Sequence, residues 1–368
     1  MSNDHLEAHR FLNAPPWAGA TRSKVDTFGG HDLSDLRGLL PAHANVRKAA
    51  RGFSPLTLSS AEQWTLRDAL SRAHRRSPDQ VIIRARPSEL WRSICRAHLD
   101  SGDRVALASP QPEYVTHEVL VSNARYVDIG RDQHFRIHRE GLERLLEDGA
   151  LRLLYLGRPG RPTGQVDDLD WARRGLEAGC VVVVDESDLH YADPMGGFPG
   201  PTGARSRSAL TLLDDSQCDT TRLIIMRQVC GLDGVQLSYA IGQAEALKRL
   251  WAIEPGERLP AALVGAGWLA LDHTDYAREQ VKARLACRDA LRDALSALPQ
   301  CRVVPGDGLV TWVSVDGWDG SDVAAKLLSR GVRVQHNRHH TWREHVALVP
   351  PMAEDLVEVV RAFVALVS

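Results

Sequence analysis

Short apolar runs interleaved with helically spaced stretches constrain this chain more than any other feature. QVIIRA, RVALAS, RYVDIG, RLLYLG, CVVVVDE and RLIIMR alternate with SELWRSICRAHL, EYVTHEVLVSN and DLDWARRGLEAG. Runs of Val, Ile and Leu that do not alternate with polar residues mark strands buried on both faces, which is the condition inside a parallel sheet covered by helices. A helical pattern over 60–76 precedes them, and an amphipathic stretch over 276–298 reads as a connecting helix. Beyond it LVTWVSV, VRVQH and VALVP alternate with DVAAKLLSRG and MAEDLVEVVRAFVALV, the pattern of a small α+β lobe. The expectation is an α/β fold with an arm at 1–45, a large mainly parallel domain at 46–275, and a connecting helix with a small C-terminal domain at 276–368.

The 368 residues suffice for a large domain plus a lobe. A net charge of −2 favours neither nucleic acid nor an acidic membrane as partner. No apolar run approaches the length of a membrane span, and the first 30 residues lack a signal pattern. Six cysteines without a C-x-x-C pair suit reduced thiols, so a cytoplasmic protein is expected. Basic residues are lopsided: five lysines (Lys24, Lys48, Lys248, Lys282, Lys326) stand against 40 arginines.

Three segments carry a family resemblance. GRPGRPTG (157–164) is similar to an Asn-Pro-x-Asn-Pro-Thr-Gly turn, VVVVDESDLHY (181–191) to a strand ending in Asp-Glu-x-Tyr-x-x-Phe, and GLDGVQLSYAIG (231–242) to a Gly-Leu-x-Gly-x-Arg-x-Gly-Tyr run. In this order they resemble the fold-type I pyridoxal-phosphate aminotransferases, especially the histidinol-phosphate aminotransferase branch. The resemblance implies an aminotransferase-like large domain, a homodimer, and a lysine that holds the cofactor as a Schiff base. At that lysine's position this chain has Gln228, which offers no nucleophilic amine.

The resemblance makes Asp185 the partner of the pyridine nitrogen, the contact that lets the ring act as an electron sink. Other implied contacts are changed. A tyrosine position is Asp188, the asparagine that bonds the ring hydroxyl is Arg161, a serine before the lysine is Arg227, and a phosphate-binding arginine is Gln236. The Gly-Ser pair of the phosphate cup becomes Arg86 and Pro87, with Ser88 as the candidate helix cap. A tyrosine supplied across the dimer corresponds to Phe53, and the arginine that clamps a substrate carboxylate falls near Val346. Tyr114 lies where the family stacks an aromatic ring.

With so many contacts replaced, no cofactor is expected and the pyridoxal-phosphate site is read as degenerate. Arg86, Arg161 and Arg227 are expected to converge on the old cavity near Asp185 and Asp188. There they either pair with those aspartates or form a fork for a carboxylate or phosphate. His190 and Asp188 join Asp185 as proton-handling candidates, although a packed, hydrogen-bonded histidine explains His190 as well. His336, His339, His340 and His345 could bind a metal, but an exposed polar loop accounts for them without one, and no metal is expected.

Three functions remain open at this point. The first is an enzyme that works without pyridoxal phosphate on a small anionic metabolite in biosynthesis. The second is a non-catalytic relative that binds a ligand or an active aminotransferase. The third is an enzyme that holds pyridoxal phosphate non-covalently. In each the expected partners are a small anionic ligand and a second copy of the chain, with neither nucleic acid nor membrane.

Overall fold

The computed structural model describes residues 30–34, 42–52, 61–200, 206–232, 235–253, 258–336 and 342–367. At its centre is a seven-stranded sheet of β2 (Val81–Arg84), β3 (Arg104–Leu107), β4 (Arg125–Asp128), β5 (Leu151–Gly157), β6 (Val181–Asp185), β7 (Leu223–Gln228) and β8 (Ser238–Gly242). Spatial order is β2-β8-β7-β6-β5-β3-β4. Only β8 runs against its neighbours, so the sheet is mainly parallel. Every residue of β6 is buried, as its four consecutive valines require.

One face packs Leu154, Val182, Val184, Ile225 and Ile241 against helices that include Ala61–Ala73 and Ala261–Asp272. The other packs Leu153, Val183, Ile224 and Met226 against the helix Pro87–His98, whose Trp91 is fully buried. Apolar side chains from both faces of one strand thus enter two cores, the arrangement that excludes strict alternation. Trp268, on the helix Ala261–Asp272, is 40% exposed.

The helix Thr274–Ser296 leads to a four-stranded antiparallel sheet, ordered β12 (Gln335–His336), β13 (His345–Leu348), β10 (Thr311–Val315) and β9 (Cys301–Val304). Helices Gly320–Leu328 and Leu356–Val367 cover it. The segment read as an arm contributes a strand, β1 (His31–Asp32), that pairs in parallel with β11 (Val332–Arg333). Leu33 then enters the core of this lobe. The end of the arm enters the helix Ala44–Gly52 with Ala42 buried, while residues 1–29 and 35–41 of the arm and Phe53 lie outside the described residues.

The turn that follows β5 is locked onto the loop at 305–310. Asp307 N–H donates to Gly164 O at 2.9 Å, and Gln165 Nε2 donates to Pro305 O at 2.6 Å. Gly164 has φ +72°, and a Cβ there would stand 2.9 Å from Gly308 N, so both backbone conformation and close approach require glycine. From the connecting helix, Arg292 donates to Gly308 O at 3.2 Å and Val310 O at 2.8 Å, satisfying carbonyls that the tight loop leaves without partners. This lock fixes the turn carrying Arg161 over the sheet.

Candidate active site

Parallel strands place their carboxyl ends on one edge, where connecting segments diverge and leave a crevice. Here that crevice is a cavity of about 460 Å³, measured to its open mouth. Its walls include Pro110, Tyr114, Tyr155, Arg131, Arg161 and Asp188, and Asp185 stands at the end of β6.

Asp185 is held from three directions. Tyr155 Oη–H donates to Oδ2 at 2.7 Å, Tyr114 Oη–H donates to the same oxygen at 3.3 Å, and Ser187 N–H donates to Oδ1 at 2.9 Å. Burial, followed by the Asp185 charge, pushes both tyrosines well above the ordinary phenol value, so they stay protonated donors. Three residues on, Asp188 accepts a bidentate pair from Arg161, with Nη2 at 2.6 Å from Oδ1 and Nε bonded to Oδ2. Burial works against the Arg161 charge, but Asp188 outweighs it and raises the guanidinium above its ordinary value. A second bidentate pair closes the far wall, Arg131 Nη1 and Nη2 each lying 3.0 Å from the Asp167 oxygens.

The three candidate arginines do not converge, which corrects the sequence expectation. Only Arg161 lines the cavity. Arg86, not Ser88, stands at the N-cap position of the helix Pro87–His98 without a side-chain capping bond, its side chain 65% exposed and 3.9 Å from Glu89. Arg227 is buried on the opposite side of β7 from Gln228, where Nη2 donates to Gly196 O at 3.1 Å and Nε lies 3.9 Å from Glu186. Consecutive strand residues face opposite ways, so Arg227 and Gln228 cannot share a target. Glu186 accepts from Ser208 Oγ at 2.6 Å and from Ala209 N, and burial raises its carboxyl above the ordinary value.

His190 also differs from its candidate role. It is 3% exposed, lies outside the cavity lining, and packs beside Tyr191 with ring centroids 4.0 Å apart. Burial, followed in size by the charge of Asp188, which acts the other way, leaves it lowered to about 4, so it is neutral at neutral pH. Gln228 ends β7 with its buried Oε1 lacking a hydrogen-bond partner among the described residues. Neither Gln228 nor the half-exposed Gln236 is among the lining residues.

Val346 is a core residue of β13 facing Val313, with no access to the cavity. Among the described residues, no three His, Cys, Asp or Glu side chains gather as a metal site. His345 stacks on Trp312 with centroids 4.2 Å apart, His336 lies on β12, and His339 and His340 lie outside the described residues.

Tyr155, Arg131 and Asp167 are site residues that sequence reasoning missed. None of the three carried a local signal; Tyr155 shares the Asp185 face only through register, standing two residues before Gly157, which pairs with Asp185.

The same architecture recurs in known proteins. A histidinol-phosphate aminotransferase from Clostridium acetobutylicum superposes with a TM-score of 0.77 at 14% identity, over 91% of this chain and 98% of that one. The histidinol-phosphate aminotransferase of Sinorhizobium meliloti in complex with pyridoxal-5′-phosphate also reaches 0.77, at 17% identity over 92% and 90%. The fold is the fold-type I aminotransferase fold. In sequence, this aminotransferase-fold chain is similar to the histidinol-phosphate aminotransferase of Roseiflexus castenholzii, with 28% identity over 243 residues. That match spans 65% of this chain and 61% of the relative's length. No family model matches.

These similarities overturn the expectation that no cofactor is held, since a protein of this fold binds pyridoxal-5′-phosphate. The residues present fit the ring half of that group. Asp185 offers a buried carboxylate to a ring N–H, and Tyr114, Pro110 and Pro112 wall the space beside it. Among the described residues no helix is long and apolar enough to cross a membrane.

Proposed function

We propose that this aminotransferase-fold protein is an enzyme that binds pyridoxal phosphate at Asp185 without a covalent link and acts on a small anionic metabolite. The observation that carries the reading is the Asp185 carboxylate, buried at the cavity and accepting hydrogen bonds from three donors. When bound, the cofactor supplies an electron-accepting pyridinium ring. Gln228, in the position the resemblance gives to the lysine, offers no amine, so the link is limited to hydrogen bonds and charge.

Of the two guanidiniums that line the cavity, Arg161 is the one we assign to a substrate carboxylate or phosphate. An anion that draws Arg161 away would leave the Asp188 carboxylate open to the cavity. We extend the proposal to a homodimer, as the resemblance implies, placed in the cytoplasm.

The test is a titration of the purified protein with pyridoxal phosphate, followed by absorption, then by borohydride reduction and intact mass. Saturable binding of one cofactor per chain with no reduced adduct is the expected result. A stoichiometric borohydride-fixed adduct, or no saturable binding, counts against the reading.

A further inference from the structure

Two phenols meet one carboxylate oxygen in this cavity, and they meet it unequally. Tyr155 approaches Asp185 Oδ2 at 2.7 Å, the preferred distance for an O–H···O bond, while Tyr114 stands at 3.3 Å, beyond the usual range. Tyr155 is 4% exposed and braced edge-on by Trp91, with centroids 4.9 Å apart, in a core that also holds Leu153, Val183 and Met226. Its ring therefore has no room to leave. Tyr114 is on the cavity wall, in the first turn of the helix Glu113–Val121, only partly buried and packed against that core from outside.

Resting on the reading above, we propose that Tyr155 is a positioning residue that fixes the Asp185 carboxylate toward the ligand, and that Tyr114 is a displaceable occupant whose hydroxyl yields to a ligand N–H. A strong charge-assisted bond from a buried donor sets the carboxylate's orientation and satisfies one oxygen at no further ordering cost. A long bond from the wall holds the same oxygen only until a better donor arrives. Removing the two hydroxyls should therefore act in opposite directions, although both touch one atom.

The probe is 4′-deoxypyridoxine 5′-phosphate, which keeps the ring and phosphate but has no aldehyde to react with lysines. Calorimetry measures its Kd with the wild type, Tyr155→Phe and Tyr114→Phe, each checked for an unchanged circular dichroism spectrum. Losing a bond to a charged group should weaken binding to Tyr155→Phe by about tenfold. Losing a weak competitor should tighten binding to Tyr114→Phe by about threefold. The absorption of the bound probe reports its ring nitrogen, which should lose its proton at lower pH in Tyr155→Phe, a change that loosened packing alone would not produce.

If Tyr155→Phe does not fold, tightening by Tyr114→Phe supports the proposal, and equal or weaker binding overturns it. Wild-type binding with both variants weakened, or both unchanged, overturns this inference alone. Absence of wild-type binding overturns the cofactor reading and this inference with it.

Discussion

Asp167→Ala is expected to destabilise the protein by about 3–5 kcal/mol, the usual consequence of stranding one member of a buried ion pair. The Arg131 and Asp167 side chains are 3% and 4% exposed, and both guanidinium nitrogens that face the carboxylate bond at 3.0 Å. Arg131 Nη1 also donates to Phe135 O at 2.8 Å. Phe135 in turn packs against Trp312 and Trp342 of the C-terminal lobe, with centroids 4.9 and 4.7 Å apart. Without Asp167 the arginine charge stays buried, and the turn that joins the cavity wall to the lobe loses its anchor.

Equilibrium denaturation measures the loss, and the double variant Arg131→Met/Asp167→Leu should recover most of it, since an apolar pair of similar volume removes the stranded charge. A loss under about 1 kcal/mol would mean that the pair behaves as a solvated surface contact.

Acidification should weaken the fold steeply between pH 6.5 and about 4. His98 and His190 are lowered to about 4 and His74 well below 6.5, in each case chiefly by burial. Each is neutral when folded yet takes a proton when unfolded, so the unfolded state binds more protons across that window. Their contribution is fully present above pH 6.5 and is lost as pH falls toward the folded values. One such histidine gives a slope of about 1.4 kcal/mol per pH unit, and three give roughly 4. Glu186 acts in the opposite sense just above 4.5, because its raised carboxyl binds more protons in the folded state, and it offsets part of this slope. Denaturation midpoints across the range test the expectation. His98→Gln should remove roughly a third of the histidine slope, and a profile flat from pH 6.5 to 5 would contradict it.

The sheet was legible because a strand buried on both faces has few sequences open to it, and VVVVD is one of them. β1 was not, since His31 and Asp32 are extended only through pairing with Val332 and Arg333, 301 positions away. At the site, Asp185 was legible from its place at a strand end.

The arginines misled because sequence spacing shows where a backbone goes, not which face a side chain takes. Strand alternation turns Arg227 away from the cavity, and the start of a helix leaves Arg86 on the surface. Arg131 and Asp167 lie on loops 36 positions apart, and no local pattern links them. Tyr155 was hidden inside LLYLG, where a tyrosine reads as one more core residue until register sets it beneath Asp185. His190 shows the reverse case, a chemically able side chain beside the site that packing has set aside.

The central claim is that Asp185 receives a cofactor ring in a cavity that forms no covalent bond to it. Equilibrium dialysis of pyridoxal phosphate against the wild type and Asp185→Ala tests this most directly. Binding of one cofactor per wild-type chain, released on dilution and weakened at least about tenfold by Asp185→Ala, is the predicted result. Equal binding by the two proteins, or none by either, would contradict it.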